Sequence, residues 1–189
     1  VRLEYMQGNV YAISVYGNEK AIEAYTIGVD DHELNASLND FNGKVSTSTP
    51  AITLRIMAPR LTEIQGTGAS EVIFADSVGG DYGLDISLSG IGRVSLARLQ
   101  LEELDIAISG GGKFDLEDVR CTNDVELRLE GAGGIKGRIE CQKLDIKASG
   151  ASEGQLDIST KKTKLSAFGS SNFILCGKTD SFTQRLSGS

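Results

Sequence analysis

The residues of this chain that have the chemistry to act on a substrate are mostly carboxylates. Asp76, Asp81 and Asp85 fall near one corner of the chain path, beside Tyr82, and Asp105 follows one repeat later. Paired carboxylates are what glycoside cleavage uses as acid and base, and Asp81-Tyr82 is a pair that suits a sugar. No Arg or Lys at matched spacing stands ready as a lyase base. Asp76, Asp81, Tyr82, Asp85 and Asp105 are therefore a candidate surface ligand site, with no residue nominated as catalytic. An ordinary polar loop is the simpler reading of the same stretch.

Asp85, Asp105, Glu126 and Asp145 also recur at repeat spacing, as an acidic ladder. Stacked carboxylates could gather Ca²⁺, which takes several hard oxygen ligands at once. No loop supplies the carbonyls such a site needs, and Arg128 and Lys147 sit on the same face as Glu126 and Asp145. A solvated, partly neutralised sheet face is expected instead. His32 is the only histidine, so triads and metal sites built on His lack members; it is expected in an exposed turn after Asp30-Asp31. The steps Gly90-Ile91-Gly92, Gly110-Gly111-Gly112 and Gly131-Ala132-Gly133-Gly134 have the look of phosphate cradles. No helix follows any of them, so they read as turns. Neither a metal nor a cofactor is expected.

Cys121 and Cys141 follow their repeat glycines, Gly110 and Gly131, at almost equal distance, which puts them at nearly the same corner of adjacent coils. Stacked positions come within disulfide reach, but parallel Cβ directions disfavour the bond. Two buried thiols behaving as small hydrophobes are the preferred alternative. Cys176 has no evident partner.

What positions these residues is a repeat. The steps Gln65-Gly66, Ser89-Gly90, Ser109-Gly110, Glu130-Gly131, Ser149-Gly150, Phe168-Gly169 and Ser187-Gly188 recur at nearly constant spacing, with a longer first interval from Gly66 to Gly90. Two before each glycine lie Ile64, Leu88, Ile108, Leu129, Ala148, Ala167 and Leu186. Four before lie Thr62, Ile86, Ile106, Leu127, Ile146, Leu165 and Gln184. Such alternation marks a half-buried strand. After the glycine a second short strand follows, as in Val94 with Leu96 and Phe114 with Leu116. A unit this small cannot bury its apolar face alone and must stack on the next. The expected fold is all-β: a right-handed parallel β-helix with coils of about 20 residues. Residues 60–189 form the solenoid, and residues 1–59 an N-terminal β cap that protects its open edge. In that cap Tyr11, Ile13 and Val15 alternate, as do Ile52, Leu54 and Ile56. Asn39-Asp40-Phe41-Asn42-Gly43 reads as a reversal and Ser46 to Thr49 as a loop tip. Leu186-Ser187-Gly188-Ser189 starts a further coil, so a short cap or a partner is expected there, with homo-oligomers through the solenoid ends as one outcome.

Composition narrows the function. The chain has 189 residues and a formal net charge of -7, with 19 Lys+Arg against 26 Asp+Glu. Phosphate neutralisation needs a basic stripe, so nucleic acid is not an expected partner. No run approaches the roughly 18 apolar residues of a membrane span. The opening Val1-Arg2-Leu3 is what an exported chain shows once its leader is cut, and a trimmed chain would show the same.

The order of motifs resembles a known family. Gln7-Gly8-Asn9-Val10-Tyr11-Ala12-Ile13-Ser14-Val15 is followed by Ile52-Thr53-Leu54-Arg55-Ile56-Met57-Ala58-Pro59-Arg60-Leu61-Thr62-Glu63-Ile64. Then come Gly66-Thr67-Gly68-Ala69 and the Leu-x-Ile-x-x-Ser-Gly repeats. This pattern is similar to the head GIN domain family of secreted, auto-transporter-type adhesins of Bacteroidetes, over nearly the whole chain. The resemblance implies an exported protein at the outer-membrane surface, in the periplasm or outside the cell. It implies a non-catalytic adhesin that binds an extracellular glycan or protein, and it brings no catalytic residues. The competing expectation is a polysaccharide lyase or hydrolase, since β-helices include such enzymes. Coils this regular, with almost no insertions, leave little room for the loops those enzymes use.

Overall fold

A strand that alternates apolar and polar residues, then turns at a glycine, buries its apolar side only by winding over a copy of itself. That is the architecture found. In a computed structural model describing residues 1–39 and 51–188, the chain is a nearly all-β parallel solenoid of about six turns, with coils of about 20 residues.

The coils are built from β6 (Glu63–Gly79), β7 (Gly83–Leu101), β8 (Glu103–Gly110), β9 (Lys113–Cys121), β10 (Asp124–Gly131), β11 (Gly134–Gly150), β12 (Glu153–Gly169) and β13 (Asn172–Ser187). All pair in parallel with the same position of the next coil. One interior ladder runs Ile64, Ile86, Ile106, Leu127, Ile146 and Leu165, and every member is buried. The facing wall contributes Val94 with Phe114 and Leu96 with Leu116, also buried.

Register corrects one expectation. The first corner glycine is Gly68, which stands opposite Gly90, whereas Gly66 stands opposite Leu88. The corner backbone is left-handed at Gly68 (φ 78°), as at Gly90 and Gly110, and Gly66 does not share it. Gly66 instead fills an interior position beside Leu88, where a Cβ would come within 2.7 Å of a Leu88 methyl. The long first interval, from Gly66 to Gly90, is thus a shift of two positions, and Ile64 belongs with Ile86 rather than with Leu88.

The N-terminal part contains β1 (Arg2–Gln7), β2 (Ala12–Tyr16), α1 (Glu19–Glu23), β3 (Tyr25–Asp30), β4 (Glu33–Leu38) and β5 (Thr53–Ala58). β1 joins the stack in parallel, matching Arg2–Tyr5 to Glu71–Phe74, and β5 pairs in parallel on its other side. β2 then runs antiparallel to β5, with Ile13 opposite Ile56. Ala21, Ile52 and Leu54 form a small second core. β3 and β4 make a separate hairpin, turned by Asp31 and His32 at positive φ, so His32 occupies the exposed turn its neighbours suggest. The short α1 has no counterpart in the expected cap; Asn18 caps it by accepting from the Ala21 N–H at 2.8 Å. The expected reversal at 40–43 and the loop tip at 46–49 lie outside the described residues.

Candidate functional site

In a parallel stack the outward position of one coil lies one strand spacing from the same position of the next, roughly 4.8 Å. Period two therefore turns a single recurring residue type into a continuous row. The row five positions before the corner glycine reads Glu63, Asp85, Asp105, Glu126, Asp145 and Lys164, each in register with the next. Two positions along the strand, a second row reads Gln65, Ser87, Ala107, Arg128, Lys147 and Ser166. The rows enclose a shallow trough of about 210 Å³ lined by Glu63, Asp85, Asp105, Glu126 and Arg128 among others. A smaller depression of about 140 Å³ adjoins it, lined by Glu103, Asp105, Asp124 and Lys143 among others.

The charges of the trough are unevenly compensated. Glu126 receives Arg128 at 2.9 Å and also Lys147. Burial alone would raise the Glu126 carboxyl, but its hydrogen bond to Lys147 and the charge of Arg128 outweigh that and hold it below the usual range. Asp105 goes the other way. Partial burial raises it, and the carboxylates of Glu126 and Asp85 on either side add to the shift, against a smaller pull from Arg128. Farther along, Lys143 reaches Asp124 at 3.0 Å and Lys164 reaches Asp145 at 3.4 Å.

The structure thus separates the five candidate residues. Asp85 and Asp105 come together in the trough. Asp76 is exposed at an irregularity of β6, between Phe74 and Ser77, and Asp81 is exposed in the turn before β7; neither lines the trough. Tyr82 cannot be a surface contact for a sugar. It is 5% exposed, and the Arg60 guanidinium lies over its ring at 4.7 Å. Its aromatic ring belongs to the core because the coil closes over it. Glu63 extends the acidic row by one coil beyond the ladder expected from the repeat, and Lys164 ends it with a base at the other side. Aligning on Gly68, whose backbone turns the corner at positive φ, brings Glu63 into that row.

Cys121 follows Leu101 in register and Cys141 precedes Thr160, at one corner of successive coils. Both are buried and present as free thiols, while Cys176 is exposed. Burial pushes both buried thiols up to about 12, with the proximity of Cys141 adding for Cys121 and that of Asp124 for Cys141. Among the described residues no three His, Cys, Asp or Glu side chains gather as a metal would need.

Residues 1–137 match the family described as "Putative auto-transporter adhesin, head GIN domain". The fold is shared with a crystal structure described as a "putative lipid binding protein" from Parabacteroides distasonis. That protein is 15% identical, with a TM-score of 0.65, covering 99% of this chain and 88% of that one. It is also shared with a "putative adhesin" from Bacteroides fragilis, 17% identical with a TM-score of 0.55, covering 97% and 87%. No curated protein matches the sequence.

Proposed function

The chain belongs to the head GIN domain family, and on that premise we propose that it is a non-catalytic adhesion module working outside the cell or at its surface. Its partner is a glycan or a protein, met along the flat sheet face that carries Glu63, Asp85 and Asp105. The observation that carries this reading is the ladder geometry. Side chains in register stand parallel to one another, giving a repetitive surface suited to contact over an area rather than groups converging on one bond.

One feature favours the hydrolase reading. Asp105 holds its proton to higher pH beside Asp85, as a general acid does beside its partner carboxylate. The trough argues the other way: about 210 Å³ is below the roughly 300–1,000 Å³ of ordinary ligand pockets, and Asp105 itself is exposed. Water is not excluded from the acid, so little of the usual electrostatic gain is available. Among the described residues no helix is long and apolar enough to cross a membrane.

The test is a glycan array and a panel of extracellular proteins probed with the intact chain, alongside hydrolase and lyase assays on acidic and neutral polysaccharides. Binding without turnover, weakened in Asp85→Asn/Asp105→Asn, is the expected outcome. Turnover that disappears in Asp105→Asn would establish the enzyme instead.

A further inference from the structure

The N-terminal cap closes the apolar end of the solenoid but leaves one backbone edge open. Ala21, Ile52 and Leu54 fill that end, with Val15, Tyr25 and Ile27 packed against them. β2 is the outermost strand of the large sheet. It pairs with β5 on one side, and among the described residues no strand pairs with the other. Half of the N–H and C=O groups of an edge strand point away from its neighbour, and only another extended chain satisfies them in register.

Sheet edges are ordinarily kept apart by charges, by proline or by a bulge. None of these protects β2. Residues 5–18 include no charged residue and no proline, and β2 matches Thr53–Met57 of β5 without a register shift. Val10, Tyr11, Ile13 and Tyr16 are 59%, 80%, 42% and 49% exposed, and β-branched and aromatic residues favour strand pairing. Arg55, whose guanidinium lies over the Tyr16 ring at 5.0 Å, is neutralised by Glu4 at 2.9 Å. What completes this edge has to be extended, apolar and uncharged. Among the described strands with an open edge, β2 alone fits that description. β13 carries Lys178, Asp180 and Arg185, and the β3–β4 hairpin carries Asp30 and Glu33.

We infer that β2 pairs with β2 of a second copy, antiparallel across a two-fold axis normal to the sheet, so that two solenoids join head to head. Such an axis keeps every side chain on its own side of the sheet, so positions of equal parity face each other. With Ile13 on the axis, Ile13 meets its own counterpart, Tyr11 meets Val15 and Val10 meets Tyr16, the last two pairs occurring twice. Aromatic against β-branched residues are favourable cross-strand pairs, and no like charges are opposed. The two-fold uses up the open edge of both copies, which gives a dimer rather than a fibre. A strand of about six residues is roughly 20 Å long, so the interface is smaller than the roughly 1,200 Å² of stable complexes and the dimer is weak. Each copy has a net charge of -7, so salt strengthens the association by screening repulsion between copies. The acidic trough lies on other strands, and a dimer presents it twice. The dimer does not rest on the adhesion reading.

Sedimentation velocity on the intact chain over a range of concentrations tests this. Dimer is expected at high concentration, and more of it at about 1 M salt than at about 10 mM, where the Debye lengths are roughly 3 and 30 Å. Ile13→Lys sets like charges opposite each other on the axis and should leave only monomer. Ile91→Lys, at an equally solvated apolar position on β7 (Ile91 is 74% exposed), should dimerise as the wild type does. Both should keep the wild-type circular dichroism spectrum. In a Cys176→Ser background, Ile13→Cys should cross-link two copies under oxidised glutathione, and Val29→Cys, exposed outside β2, should not. Wild type that stays monomeric at every concentration and salt overturns the inference. So does a dimer that survives Ile13→Lys, growth beyond dimers, or Ile13→Cys that fails to cross-link. A monomeric wild type that binds a synthetic peptide of residues 9–17 overturns it too, by showing that the edge serves a different partner. A monomer that still binds a glycan leaves the adhesion reading untouched.

Discussion

Asp85 and Asp105 are register partners on β7 and β8, two carboxylates held side by side on a solvated face where, among the described residues, Arg128 pulls on Asp105 too weakly to offset the crowding. Partial burial raises the Asp105 carboxyl most, and the charges of Glu126 and Asp85 add to it. Folded chains hold that proton more tightly than unfolded ones, so this group lowers stability as pH rises from the ordinary Asp value through its raised one. Above that window the penalty is constant. Asp105→Asn should therefore stabilise the fold at neutral pH, by on the order of 0.5 kcal/mol once solvent screening is allowed for. Below the ordinary Asp range it should do nothing. Thermal melts at pH 7 and pH 3 give the check; equal shifts at both pH values would place the effect elsewhere.

Glu126 should behave in the opposite sense. Its lowered carboxyl, held by Lys147 and Arg128, adds stability that is present above the ordinary Glu value and is lost as pH falls through the depressed one. Glu126→Gln should cost roughly 0.5–1 kcal/mol at neutral pH and less in high salt. It should also bring Asp105 down toward its ordinary range by removing one neighbouring charge, which carboxyl chemical shifts in an NMR titration would report.

The corner glycines differ in what they tolerate. At Gly110 (φ 120°) a Cβ would lie 2.3 Å from the Gly90 carbonyl oxygen, which is backbone and cannot step aside. At Gly68 (φ 78°) a Cβ meets nothing within 4 Å. Gly68→Ala should then cost only the left-handed backbone, about 1 kcal/mol. Gly110→Ala should cost at least two to three times as much, because stacking must open to admit the methyl. Urea midpoints of the two variants rank them, and similar losses would mean that the corner can relax.

Thiol reactivity separates the three cysteines. Cys121 and Cys141 are buried with thiols pushed up to about 12, while Cys176 is exposed. A thiolate-selective reagent should label Cys176 alone in the native protein at pH 8. All three should react in denaturant without reductant. If only Cys176 reacts after denaturation, Cys121 and Cys141 are joined.

Much of the solenoid is readable from local pattern, since period two and a regularly recurring corner glycine are properties of neighbouring residues. Leu84 to Leu88 and Leu104 to Ile108 announce their inward side without any knowledge of what they touch. The first coil is where this fails. Gly66 and Gly68 are both available as corners, and only the pairing with β7 shows that Gly68 carries the left-handed backbone. Local pattern misplaces Tyr82 for a related reason: Asp81 and the nearby glycines mark a loop, but closure of the coil beneath Arg60 buries the ring. The Asn18 cap and α1 lie in a stretch too short for helical period to show.

The coil is written into the chain itself: its length, its inward ladders and its outward carboxylates are all encoded within a single repeat. Which charges become neighbours is settled only when the coils stack. Glu126 and Lys147 are 21 residues apart in sequence yet joined across one strand spacing, whereas Asp105 is left between two acids. The sorting of Glu63 and Asp85 to one end of a face and Lys162 and Arg185 to the other likewise exists only in the folded stack. Electrostatic energy depends on distance through space, and register sets that distance.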